Sequence, residues 1–139
     1  MVVTNGSCHC GQTKWTITTE DTPTHVLCHC DACKKLSGGP YTLNIVVPIS
    51  DVKLTEGELK EYIYKGDSGN EVVCYYCSNC TTHPWHHQKV NGEKYVVRSG
   101  LLEGSEKFKV VAEVYAKYRY PFQQQIAAAS FEIMPPSSE

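Results

Sequence analysis

Eight cysteines stand in three tight groups along the chain: Cys8 and Cys10, then Cys28, Cys30 and Cys33, then Cys74, Cys77 and Cys80. Spacings of Cys-x-Cys and Cys-x-x-Cys bring thiol sulfurs together over one turn of chain, and clustered thiolates are ligands that zinc accepts in tetrahedral geometry. An even count also permits a disulfide scaffold, which needs an oxidising compartment. Two thiols one residue apart suit a shared ion better than two separate bridges. Zinc is therefore the sharper reading. Cys28, Cys30 and Cys33 offer one face of an ion, and the pairs Cys8/Cys10 and Cys77/Cys80 remain to close a four-thiolate site. Structural zinc is closed by four protein ligands, whereas catalytic zinc has three and keeps a position for water or substrate. The expectation is two zinc ions per chain with different jobs. Cys74 either seals the second site or is a small buried hydrophobe. In an extended strand residues 74 and 77 point to opposite faces, which turns Cys74 away from the ion that Cys77 holds.

A zinc with three thiolates carries a formal charge of −1 and polarises bound water less than one with three imidazoles. It suits exchange of a soft thiol ligand better than generation of hydroxide. Making or breaking a thiol adduct of a carbonyl carbon then becomes a proton-transfer problem, for which the candidate groups are His29, His83, His86, His87, Tyr41 and Cys74. If "PWHHQ" is extended, His86 and His87 face opposite ways, so at most one of them meets the pocket. His29 alternates away from its flanking cysteines.

The elements that must position these groups are mostly strands. "QTKWTITTE", "YTLNIVV", "KEYIYK", "EVVCYYC", "EKYVVRSG" and "KFKVVAEVYA" are β-branched and aromatic, separated by turn signals such as "SGGP", "KGDSGN" and "VNGE". The class is mainly β, with little room for parallel crossovers. A short helix over Asp31–Leu36 carries Cys33, and "PFQQQIAAAS" reads as a second short helix. Residues 1–134 read as a single domain and 135–139 as a polar tail. A composition 41% hydrophobic and 20% charged excludes disorder as the main state. With 13 basic and 15 acidic side chains spread along the chain, no nucleic-acid footprint appears. No secretion signal and no apolar run of membrane length is visible, so the expectation is a soluble cytoplasmic protein with a small-molecule substrate, without nucleic-acid or membrane partners.

The order "GSCHCG", "CHCDACKKLSG", "CSNC" resembles the glutathione-dependent formaldehyde-activating enzyme family, which also includes centromere protein V-like proteins. "VVRSGLLEG" and "YAKYRYPF" are similar to that family in a less specific way. The resemblance implies a β-tent of small antiparallel sheets around two zinc sites. It implies Cys8, Cys10, Cys77 and Cys80 as ligands of a structural zinc and Cys28, Cys30 and Cys33 as ligands of a catalytic one. It also implies glutathione as co-substrate, whose carboxylates need cations: Lys34, Lys35, Arg98, Lys117 and Arg119 stand in the matching segments. Tyr41, Trp85, Tyr118 and Phe122 are candidate pocket walls. Where family members follow the second Cys-x-x-Cys with glycine, this chain has "TTHPWHHQ", expected to be a remodelled wall. The implied activity is that of a zinc-dependent carbon–sulfur lyase or transferase. Two alternatives are a tailoring enzyme using the same zinc as Lewis acid on a non-thiol carbonyl or enol, and a zinc-stabilised binding module without catalysis.

Overall fold

The computed structural model describes residues 1–135; of the tail expected at 135–139, residues 136–139 lie outside the described residues. A small antiparallel sheet joins β1 (Val2–Ser7), β2 (Lys14–Thr19) and β5 (Val52–Glu56) in the order β1-β2-β5. A larger sheet holds β3 (His25–Cys28), β4 (Thr42–Pro48), β6 (Leu59–Lys65), β7 (Glu71–Cys77), β8 (Trp85–Gln88), β9 (Lys94–Arg98) and β10 (Val110–Val114). Its order is β10-β3-β4-β9-β8-β7-β6. Every pairing is antiparallel except β10 with β3, the one parallel ladder among the described residues. The mainly β class with small sheets is as expected.

Period-two alternation divides the large sheet into two chemically different faces. Tyr75, Trp85, Val97 and Ile45 follow one another across β7, β8, β9 and β4 in register, and this face packs on Trp15 and Ile17 of the small sheet. Trp15 meets Trp85 edge-on at 5.8 Å, and Trp85 stacks on Tyr95 at 5.5 Å, so aromatic packing ties the two sheets together. Cys8 and Cys77 belong to the same buried cluster. The opposite face carries Cys74, His86, Val96 and, two residues along β9, Arg98, which is opposite Asn44 of β4. Polar chemistry is thus concentrated on the face turned away from the core.

The helix α1 (Asp31–Ser37) forms where the sequence placed it. Cys30 is its N-cap, its Sγ accepting from the Cys33 amide at 3.3 Å, and Gly38 in the left-handed region closes its end. The second helix expected over "PFQQQIAAAS" does not form; residues 121–130 are turns and irregular chain with an isolated bridge at Ser130. The reason is a stronger claim on the same main chain. The amides of Ile126 and Ala127 donate to the Glu113 carboxylate, and Ala129 accepts from the Glu113 amide. Those groups are no longer free to build a helical ladder.

Candidate metal centre and adjoining cleft

The sulfurs of Cys8, Cys10, Cys77 and Cys80 all lie within 4.8 Å of one another, and so do those of Cys28, Cys30 and Cys33. All eight cysteines are free thiols, so no disulfide competes for them. Two short loops make the first group. Cys8 and Cys10 sit just beyond β1, and Cys77 ends β7 with Cys80 in the turn that follows. The Cys8 and Cys10 sulfurs are 3.5 Å apart, those of Cys10 and Cys77 3.8 Å. A tetrahedron of zinc–sulfur bonds near 2.3 Å has edges of about 3.8 Å. The donor set therefore fits zinc both in kind and in spacing.

The chain also aims donors at these sulfurs. The Thr13 amide reaches Cys8 Sγ at 3.3 Å, the Thr13 hydroxyl reaches Cys77 Sγ at 3.2 Å, and the Asn79 and Cys80 amides point at Cys77 Sγ from 3.5 Å. Hydrogen bonds to the charged form favour it. Led by the Cys80 amide and the Thr13 hydroxyl, they hold the Cys77 thiol below its usual range. The Thr82 hydroxyl and amide bring Cys80 down to about 5. Thr81, immediately after Cys80, takes φ 69°, and its amide donates to the Cys77 carbonyl. A left-handed residue here is what glycine ordinarily supplies; threonine accepts a cost of about 1 kcal/mol.

In the second group, Cys28 ends β3 and Cys30 and Cys33 frame the start of α1. Cys33 is held below its ordinary range by hydrogen bonds from Cys28 and Cys30, with help from the Thr42 hydroxyl and the Arg98 charge, while Cys28 is pushed up by its hydrogen bonds to Cys30 and Cys33 and by burial. Three thiols sharing charge in this way can exchange their protons for a cation. Among the described residues no fifth histidine, cysteine or carboxylate joins the first group and no fourth joins the second, so Cys74 belongs to neither. Cys74 is buried on the polar face, and burial pushes its thiol up to about 11 against the pull of Arg98. Cys74→Ser is accordingly expected to keep the wild-type zinc content, as measured by atomic absorption on purified protein. Loss of one equivalent would make Cys74 a ligand.

A cleft of ≈ 490 Å³ is lined by Leu36 and Ser37 of α1, Tyr41, Thr42 and Leu43, Thr81, Thr82 and His83, and Arg98, Gly100 and Leu101. It adjoins the three-cysteine group through Thr42, which bonds Cys33, and the four-cysteine group through Thr82, which contacts Cys80. The "TTHPWHHQ" stretch does contribute a wall, through its first three residues. Arg98 is only 8% exposed. Its guanidinium donates to Asn44 Oδ1, and no carboxylate lies within ion-pair distance of it among the described residues. Asn44 in turn donates to Thr42 Oγ1 at 2.9 Å. A chain of polar contacts thus runs from Arg98 through Asn44 to the threonine that bonds Cys33. Burial and the Arg98 charge lower His83 to about 4 and His86 to about 3, so both imidazoles are neutral at pH 7. His83 Nε2 and His86 Nδ1 are buried with no hydrogen-bond partner among the described residues.

Of the other candidates, only Tyr41 lines the cleft. His87 turns to the far face, bonding the Gly92 carbonyl and packing edge-on to Tyr95. Tyr41 lines the cleft and packs on His29 at 5.7 Å. Lys34 is bonded to the Tyr118 carbonyl and lies over the Tyr120 ring, Lys35 pairs loosely with Asp31 in solvent, and Lys117 lies over Tyr118. Arg119 binds Glu113 and Ser130. Trp85 is in the core, Tyr118 is half exposed and Phe122 is exposed. Of the cations named from sequence, only Arg98 lines the cleft.

Sequence reasoning missed Glu113. Fully buried, it accepts from His29 Nε2 at 2.8 Å, from Arg119 Nε at 3.2 Å and from two main-chain amides. Burial alone raises a carboxyl, but the Ala127 amide, His29, the Ile126 amide and Arg119 outweigh it and hold Glu113 below its usual range. His29, between Cys28 and Cys30, is thereby locked away from the cleft, and the cysteines on either side are oriented with it. Tyr64 was also missed: burial and the nearby Cys74, Cys33 and Cys30 charges push its phenol up.

The depressed histidines make stability pH-dependent in a definite direction. The unfolded chain binds protons at His86 near the ordinary histidine value of about 6.5, while the folded chain does so only near 3. The stabilisation is complete above that ordinary value and is lost as pH falls toward the folded one. By pH 5.5 the loss amounts to about 1.4 kcal/mol. Urea midpoints of wild-type and His86→Gln protein should therefore converge as pH falls from 7 to 5.5; parallel curves would show that His86 charges freely in place.

The family model of the glutathione-dependent formaldehyde-activating enzyme matches residues 3–118. A crystal structure of a Rhodobacter sphaeroides protein is similar, with 19% sequence identity and a TM-score of 0.58, covering 77% of this chain and 99% of that one. At that identity the likeness is one of fold. The curated proteins contain no match.

Proposed function

The chain belongs to the glutathione-dependent formaldehyde-activating enzyme family, and from that membership we propose that it is a zinc-dependent carbon–sulfur lyase or transferase. It makes or breaks a thiol adduct of a small carbonyl compound. The observation that carries this reading is the inequality of the two cysteine groups, four donors in one and three in the other, with Cys33 of the three linked to the cleft wall through Thr42 and Arg98. Cys8, Cys10, Cys77 and Cys80 would hold a structural zinc, and Cys28, Cys30 and Cys33 a catalytic one. Bound to the three cysteines, zinc supplies Lewis acidity and keeps a substrate sulfur in its thiolate form.

The surrounding side chains do the rest. Arg98, buried in the cleft wall, receives a substrate carboxylate or an oxygen that gains negative charge during reaction. For adduct cleavage, the neutral His83 takes the hydroxyl proton, the carbon–oxygen bond becomes a carbonyl, and the carbon–sulfur pair returns to sulfur. Addition is the reverse, with the imidazolium returning the proton. Leu36, Leu43 and Leu101 form an apolar wall that limits water. Glu113 and His29 hold the Cys28–Cys30 loop in place. Glutathione is the thiol that family membership points to.

A second reading has its own support: His83 Nε2 and His86 Nδ1 lack partners near Arg98, a set of groups that suits oxygen better than sulfur. In that case the substrate is a non-thiol carbonyl or enol. Turnover of formaldehyde by zinc-loaded protein, followed with and without glutathione, separates the two. The lyase reading predicts turnover only with the thiol, and a KM for the adduct raised about tenfold or more in Arg98→Gln with zinc content unchanged, as expected for losing a charge-assisted bond. Turnover of a carbonyl indifferent to any thiol would replace it with the second reading.

A further inference from the structure

β6 is an outer strand of the large sheet, carrying Lys60, Glu61 and Lys65 around an apolar centre. The opposite edge, β10, is covered by the chain around residues 129–131, which bonds Glu113 on both sides. Along β6 the only main-chain partners among the described residues are those of β7. Ile63 is 50% exposed and Tyr62 53% exposed at its centre. A strand with free main-chain groups and apolar side chains at mid-length is a template for another strand.

The charges on β6 say which strand fits. Glu61 and Lys65 stand two residues either side of Ile63, on the same face of the strand. In an antiparallel pairing of two copies centred on Ile63, each Glu61 faces a Lys65, the two Ile63 side chains meet, and each Tyr62 faces a Tyr64. Centring on Tyr62 would put Lys60 against Tyr64 and Glu61 against Ile63. Centring between Tyr62 and Ile63 would set Lys60 against Lys65, a repulsive pair. Only the Ile63 register is complementary at every position from 61 to 65. Tyr62 and Tyr64 already stack within one chain, at 6.0 Å between rings.

We propose that the protein is a two-fold symmetric dimer in which the β6 strands of two copies pair antiparallel about Ile63, continuing the large sheet from one subunit into the other. The interface is isologous, as two-fold symmetry requires. Tyr62 and Tyr64 lie on the same face of the sheet as Cys74 and Arg98, so Tyr62 of the second copy stands beside Tyr64, at the outer wall of the three-cysteine region. The two clefts open on a common face.

Light scattering after size-exclusion chromatography of the zinc-loaded full chain should give twice the 15.5 kDa chain mass at micromolar concentration. Glu61→Lys faces Lys65 of the second copy with a like charge and should shift the protein to monomer. The exchanged double variant, Glu61→Lys with Lys65→Glu, restores opposite charges and should restore the dimer. Both positions are exposed, so zinc content and circular dichroism should not change. A monomeric wild type, a dimer indifferent to Glu61→Lys, or a double variant that stays monomeric would each overturn the proposal.

Discussion

Cys80→Ser, and equally Cys10→Ser, is expected to leave a chain that no longer unfolds cooperatively. The four-cysteine group is part of the core rather than an attachment to it: Cys8 and Cys77 are buried in the cluster with Trp15, Ile17 and Trp85. That cluster is where the small sheet meets the large one. Structural zinc contributes an apparent ~10–16 kcal/mol at pH 7, against a total stability of about 5–15 kcal/mol for a domain. Losing one of four thiolates lowers the metal's hold and leaves Thr13, Asn79 and Cys80 donors aimed at sulfurs with no cation to organise them. Thermal melts followed by circular dichroism, with zinc measured in parallel, check this. A variant that melts within a few degrees of wild type would show that the core holds the two sheets together without the metal.

Cys30→Ser should have the opposite profile, losing turnover by about 10³-fold while keeping the fold, a loss equal to several kcal/mol of transition-state stabilisation. Serine is chosen because Cys30 is also the N-cap of α1, and a serine hydroxyl caps the Cys33 amide at least as well as the thiol. What the substitution removes is therefore the soft ligand alone. The helix keeps its left-handed Gly38 cap and the anchor of Lys34 on Tyr118, and Cys30 is outside the core cluster. One zinc equivalent should remain. A Cys30→Ser protein with wild-type turnover would move the chemistry away from the three-cysteine group. One that unfolds as completely as Cys80→Ser would make both groups structural.

The cysteine groups were legible because each is local: two or three thiols within a few residues must come together whatever the fold does around them. The opposed faces of His86 and His87, and of Cys74 and Cys77, were legible for the same reason, since strand alternation is a local rule. Six strands were visible from β-branched and aromatic runs. β1, β3, β5 and β8 were not: β3 and β8 are only four residues long, and β1 includes a glycine and several polar residues. β3 nevertheless carries Cys28, because its pairing with β4 and β10 supplies what its own sequence lacks. Glu113 lies in "KFKVVAEVYA", which reads only as a strand. Its partners, His29, Arg119 and the amides of residues 126 and 127, come from three other segments, and nothing local announces that a carboxylate there is paired and buried. The same carboxylate is why "PFQQQIAAAS", helical in composition, is not helical. Likewise Arg98 looked like one of five comparable cations until the fold occupied or exposed the other four.

The central claim is that the chain holds two zinc ions in unequal sites, one closed by four cysteines and one left open by three. Zinc K-edge X-ray absorption on protein purified with its metal, combined with zinc analysis, tests this most directly. Seven protein sulfurs shared by two ions give an average of about 3.5 sulfurs per zinc, with a lighter oxygen scatterer completing the shell. Addition of glutathione should raise that average to about 4 and remove the oxygen contribution. Two zinc ions with four sulfurs each before any thiol is added, or a single zinc per folded chain, would contradict the account.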